Sequence, residues 1–309
     1  MDITKRALIL GGGSALGAYE AGITDEITEN DPDRHYDILT GISVGAINSG
    51  FLAQAKRGEL REYAVKLNEL WFGIEGNSDI YRKTLWGVLR LAWKTGVFDT
   101  EPLRELITAN FDPQLVRDSG NILRFGAVDL LTGRYVESTE HSDNLIDWMM
   151  ASAALPFAFP TPHIGEGIYT DGAMRSPTAI SAAIDAGCEE IDLILTSPLH
   201  YETRMTQLTA DTMKNGAQLG LRLLDIMHDQ TFIDSLKMLN FCNKLADYGD
   251  LNYKKMTVNV YAPDKTLNTD MILTTFDPKW IRDWWILGKT TRPVPLEEFI
   301  KTVKVAQEV

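Results

Sequence analysis

The chain has 309 residues, with 30 Lys and Arg against 43 Asp and Glu, giving a formal net charge of −13. Hydrophobic residues at 44% and charged residues at 24% exclude an intrinsically disordered chain. The acidic balance argues against a nucleic acid partner and weakens binding to anionic membranes unless a local patch reverses it.

Cys188 and Cys242 are too few for a disulfide framework and lack metal-ligand spacing. The five histidines, His35, His141, His163, His200 and His228, are scattered and offer no zinc face. The apolar run before the first glycines is shorter than a signal-peptide core, and no run approaches a membrane span. A cytoplasmic protein is therefore expected, and without a linker or charge block to mark a boundary, residues 1–309 read as a single domain.

Ala7-Leu8-Ile9-Leu10 is a continuous apolar run, the pattern of a strand buried on both faces. It stops at Gly11-Gly12-Gly13-Ser14, and Ala15 to Thr28 reads as a helix. A second unit repeats this order, with strand 36–40, a tight turn from Gly41 to Gly45, and helix 46–56. Two such units predict an α/β fold, a central mostly parallel sheet flanked by helices. Residues 59–110 read as helical, with Thr100 capping Glu101-Pro102. Segments 122–128 and 134–137 flank Thr132-Gly133 as a hairpin. Helix 143–152 ends before Pro156 and Pro160, a short strand covers 167–170, and Pro177 to Ala186 reads as helical. Strand 191–196, helical residues 202–250 and a last strand over 256–262 follow, and a Trp-rich helix from Asp277 to Gly288 is expected to close the sheet.

Gly41-Ile42-Ser43-Val44-Gly45 is a G-x-S-x-G on a strand-to-helix turn. Glycines are needed because so tight a turn crowds any Cβ, and the turn presents a serine hydroxyl at a helix start. Gly11 to Gly17 forms a run of bare backbone lined with N–H donors, which suits either a phosphate cradle or an oxyanion hole. A nucleophilic serine needs a base. His163, His200 and His228 follow it in the chain and qualify by order alone. Asp171, in Asp171-Gly172-Ala173 after the 167–170 strand, sits where open α/β sheets keep their sites and can take the hydroxyl proton directly.

Together these three elements resemble the patatin-like phospholipase family, which pairs a Gly-rich loop near the N-terminus, a G-x-S-x-G turn and a later D-G-[AG]. Phe98 to Leu103, the Asp129 to Gly133 hairpin and Ala151 to Phe157 look like further family segments, so the likeness covers about residues 5–200, with 201–309 as a helical, Trp-rich remainder. The resemblance implies a three-layer α/β/α fold and a serine acyl hydrolase that cleaves lipid esters. Ser43 would be the nucleophile and Asp171 the general base and acid. Gly12, Gly13 and Ser14 would supply the oxyanion hole, and Gly41 and Gly45 the elbow. No metal or organic cofactor is implied. Lipid or small esters are the expected partners, with transient membrane-surface contact.

Two positions depart from the family loop. Ser14 stands for the third glycine and must adopt a glycine-like backbone, and Leu16 replaces a basic residue. The missing cation implies that neutral or small esters serve at least as well as phospholipid. The competing readings are a catalytically silent lipid-binding relative, a His-dependent α/β-hydrolase and a nucleotide-binding module.

The aromatic segments extend the expectations. Trp280, Trp284 and Leu287 share one helix face and read as core in preference to an interfacial anchor. Trp86, Leu89 and Trp93 fit either a core face or a lid over an acyl groove. Met149, Met150, Leu155, Phe157 and Phe159 are candidate acyl-pocket residues.

Overall fold

The computed structural model describes residues 4–176, 179–198, 216–264 and 275–305, with the backbone alone for 216–231 and 302–305. The chain opens with β1 (Arg6–Leu10), α1 (Gly17–Asn30), β2 (Ile38–Gly41), α2 (Val44–Ala53) and α3 (Leu60–Phe72). A two-residue ribbon pairs β3 (Arg82–Lys83) with β4 (Phe98–Asp99), and α4 (Glu101–Asn110) and α5 (Pro113–Ser119) follow. Then come β5 (Ile122–Asp129), β6 (Tyr135–Thr139), α6 (Leu145–Ser152), β7 (His163–Ile164), β8 (Gly167–Asp171), α7 (Ile180–Asp185) and β9 (Glu190–Ile194). The remaining elements are α8 (Gly216–Asp247), β10 (Thr257–Tyr261), α9 (Pro278–Thr290), β11 (Val294–Pro295) and α10 (Leu296–Val305).

The main sheet runs β11-β10-β9-β1-β2-β5-β8-β7, with β6 on the other edge of β5. Strands β10, β9, β1, β2 and β5 are parallel, whereas β11, β6, β8 and β7 join antiparallel. Strand β1 shows why this becomes three layers. Leu8 and Leu10 enter one hydrophobic cluster with residues of α1, α2, α3 and α9. Ala7 and Ile9, on the alternate face, enter a second with residues of α7, α8 and α10. The expected mostly parallel sheet flanked by helices is present.

Three expectations need correction. Residues 59–110 are not continuously helical: between α3 and α4 lie the short ribbon and a 3-10 turn over Gly87–Ala92. The cause is that Leu85, Trp86, Val88, Leu89 and Trp93 are exposed, so the helical spacing of this segment has no core to face. The 256–262 strand is not the last, because β11 and α10 follow. The Trp-rich helix packs on α1 instead of covering the sheet directly. Gly22 and Gly288 meet there, and a methyl on either would strike the other helix's backbone. Trp284 is buried at this contact, as the core reading required.

Candidate active site

The sheet's own register brings the site together. Strand β2 pairs with β5 only as far as Gly41 opposite Phe125. There β2 turns away, and the edge of β5 beyond it is taken by β8, which ends with Asp171 opposite Ala127. A carboxylate is thus delivered beside the turn that β2 makes at its end.

That turn is tightly enclosed. A methyl on Gly41 would strike the Gly45 carbonyl, and one on Gly45 would strike the carbonyls of Leu10 and Gly11. Ser43 sits at the start of α2 with φ 57° and ψ −126°, a backbone that side-chain-bearing residues rarely adopt and that costs roughly 1–3 kcal/mol. Its amide donates to the Ser152 hydroxyl at 3.0 Å, and its carbonyl accepts from Ala46 at 3.0 Å. Ser152 is fully buried at the end of α6 and holds the strained residue from outside the turn.

The glycine loop lies against it. A methyl on Gly12 would come within 3.1 Å of Ser43 Cβ and 3.9 Å of its Oγ. The loop leaves the sheet where Gly11 donates to Ile194 at 3.0 Å, and the Thr196 hydroxyl donates to the Gly12 carbonyl. Ser14 has φ 52°, so it takes up the left-handed backbone its position demands. Among the described residues no group accepts from the amides of Gly12, Gly13 or Ser14. The helix that follows is tied to α2 by Asn48, which donates to Gly17 O at 3.0 Å and Glu20 Oε2 at 2.8 Å, and accepts from Trp71 Nε1 at 3.1 Å. Burial pushes the Glu20 carboxyl well above the usual range, against the Asn48 amide that donates to it.

Asp171 is buried, and its backbone amide donates to Ala154 O at 3.1 Å. Burial pushes its pKa up to about 7, opposed by the Ala173 amide, which donates to Oδ1 at 2.9 Å, and by the facing Ser43 hydroxyl. Burial pushes the Tyr135 phenol well above its usual range, with Glu137 and, to the smallest extent, the Asp171 charge acting in the same direction.

Gly12, Gly13, Ser14, Ser43 and Asp171 line one cavity, with Leu16, Val44, Ile47, Leu103, Leu155 and Phe159 among its apolar walls. No Lys, Arg or His lines it among the described residues. Leu16 adds apolar surface here. His163 lies in β7 and is exposed, while His200 and the side chain of His228 lie outside the described residues. A second apolar cavity shares Val44, Ile47 and Leu103 and continues to Phe51, Trp71, Phe111 and Met149. Of the candidate acyl-pocket residues, Leu155, Phe159 and Met149 line these spaces, Met150 is packed in the core and Phe157 is exposed.

Sequence reasoning assigned no role to Ser152, Thr196 or Asn48. Ser152 stood inside a family-like segment and Thr196 at a strand end, but which backbone group each hydroxyl would reach is set only by the fold.

These features define an α/β protein that presents a serine on a strained strand-to-helix turn to a buried carboxyl, beneath a loop of open amides. The family model for patatin-like phospholipases matches residues 8–184, a span that takes in the loop, the turn and Asp171, and the chain belongs to this lipid-hydrolysing family. It is 26% identical over 183 residues to a cGAMP-activated phospholipase of Pseudomonas aeruginosa. That match covers 55% of this chain and 53% of the relative, so the chain spans about half the length of the protein it matches. The crystal structure of VipD from Legionella pneumophila aligns with 98% of this chain and 67% of its own, at 10% identity and a TM-score of 0.43. No helix among the described residues is long and apolar enough to cross a membrane.

Proposed function

We propose that this chain is a Ser–Asp acyl hydrolase that cleaves carboxylic ester bonds of lipids through an acyl-enzyme. The observation that carries the reading is the strained Ser43 facing the buried Asp171 carboxyl inside an apolar cavity. Ser43 Oγ attacks the ester carbonyl carbon as Asp171 takes its proton. The negative oxygen forms under the amides of Gly12, Gly13 and Ser14, each donor contributing about 3–4 kcal/mol to the transition state. Collapse expels the alcohol, which leaves with the proton held on Asp171. Water then attacks the acyl-enzyme while Asp171 takes its proton, and that proton returns to Ser43 as the fatty acid leaves.

A base must be ionised to act, so kcat/KM for an ester should rise with one proton's slope below pH about 7 and level off above it. A fluorophosphonate probe should label Ser43 with the same pH dependence. Absence of label would favour a silent binding relative. A profile governed by a histidine, unmoved by change at Asp171, would overturn the pairing.

The two joined cavities support a fatty acyl chain as the group bound. Ile47 lies where they meet. Ile47→Phe should lower kcat/KM for long-chain esters by roughly 10–100-fold while a butyrate ester is turned over as before. Equal losses on both substrates would place the chain elsewhere. That no cation lines the cavity among the described residues supports neutral esters as substrates.

A further inference from the structure

Between Asp79 and Asp99 the chain carries four cations, Arg82, Lys83, Arg90 and Lys94, and no acid, although the whole chain stands at −13. The same stretch exposes its large apolar side chains: Leu85 is 93% exposed, Val88 73%, Trp86 58% and Trp93 57%. The two indoles meet edge to face with centroids 6.0 Å apart. Solvated apolar area of this kind marks a binding surface, because water gives nothing in return for it.

The segment is pinned beside the Ser43 cavity. The Thr84 hydroxyl donates to Val97 O at 2.6 Å and Arg90 Nη1 to Phe98 O at 3.2 Å. Val97 and Phe98 in turn donate to Phe157 O and Ala158 O, at 3.0 and 2.9 Å. Phe157 has φ 66°, an outlier for a bulky residue, and the residue is 68% exposed. Its chain neighbours Leu155 and Pro156, with Phe159, line the cavity that holds Ser43 and Asp171. Strain at Phe157 therefore holds an aromatic ring in water at the rim of that cavity.

We propose that residues 85–93 and Phe157 form an interfacial anchor that seats the rim of the Ser43 cavity on an anionic lipid surface. Apolar and aromatic side chains enter the boundary between headgroups and acyl chains, while Arg82, Lys83 and Lys94 meet the anionic headgroups. Charge decides the class of surface: the stretch carries four cations and no acid, and with Asp99 opposite Arg82 in the β3–β4 ribbon counted it keeps an excess of positive charge, which locally reverses the repulsion that the rest of the chain imposes. The anchor takes its purpose from the proposed lipid esterase activity, but its test reads binding alone.

Protein carrying Ser43→Ala, which under that reading cannot consume the probe, is floated with vesicles of phosphatidylcholine alone or with roughly 30% phosphatidylglycerol. Binding should be at least about tenfold tighter to the anionic vesicles and should weaken with salt. Replacing Arg82, Lys83 and Lys94 together by Gln should lower it by about 100-fold, at roughly fivefold per cation. Trp86→Ser with Trp93→Ser should abolish partitioning into both vesicles. With Ser43 restored, both variants should turn over a soluble butyrate ester as wild type does, which shows that they fold. Equal binding to neutral vesicles, or full binding by either variant, would overturn the anchor. So would a tryptophan variant that dissolves an assembly of this chain and leaves vesicle binding intact. Vesicle binding without any ester turnover by wild type would instead remove the hydrolase reading and leave the anchor standing.

Discussion

Asp171→Asn is expected to lower kcat by about 10⁴-fold and, at alkaline pH, to make the protein more stable. The first effect follows from the lack of any other base beside Ser43: no histidine lines the cavity among the described residues. Ser43→Ala should cost as much, and the double variant no more, because two groups that act as a unit lose their contribution once. The second effect follows from burial. An unfolded Asp titrates near about 3.9, whereas the folded carboxyl titrates at about 7. A carboxyl whose folded pKa is raised favours the folded state fully below the unfolded value, and that contribution is lost as pH climbs to the folded value. Above pH about 7, wild type therefore holds an ionised carboxylate in a site that disfavours it. The asparagine carries no charge, and its side-chain oxygen can still accept from Ala173. Chemical denaturation should find the variant more stable by roughly 2–4 kcal/mol at pH 9 and by little or nothing at pH 4. A constant difference across that range would mean that Asp171 titrates normally and is no poised base. A kcat within tenfold of wild type would sink the pairing outright.

The parts that could be read from the sequence are those in which local physics and fold agree. A strand buried on both faces, a loop of bare backbone and a glycine-bracketed serine turn each need particular residue types, and the chain supplies them at residues 7–10, 11–17 and 41–45. The parts that could not be read are relations between distant segments. Nothing in Gly167 to Asp171 says that it runs antiparallel along the stretch of β5 that β2 leaves free, yet that register carries Asp171 to Ser43. The stretch from 73 to 100 misled for the opposite reason. Trp86, Leu89 and Trp93 have helical spacing, but periodicity predicts a helix only where a core waits for the apolar face. Here that face meets solvent, and Gly87, with φ +48°, begins no more than a 3-10 turn.

Gly13→Ala is expected to lower kcat by about 10²–10³-fold with little change in KM. The added methyl would lie 2.6 Å from Thr196 Oγ1 and 2.8 Å from its Cβ, distances that real contacts do not sustain. Thr196 cannot simply yield, because it is buried, branched at Cβ, and its hydroxyl holds the Gly12 carbonyl. The loop must move instead, and its amides leave the place where the proposed mechanism forms the oxyanion. On the proposed reading the ester's ground-state binding rests on the cavity's apolar walls, so the loss falls on the transition state. Thr196→Gly removes all three atoms that meet the methyl. It also releases the Gly12 carbonyl and should itself cost activity, but adding Gly13→Ala to it should cost little more. That coupling separates a displaced loop from general damage, which would add in the double variant. Wild-type turnover by Gly13→Ala alone would mean that the amides of this loop do not hold the negative oxygen.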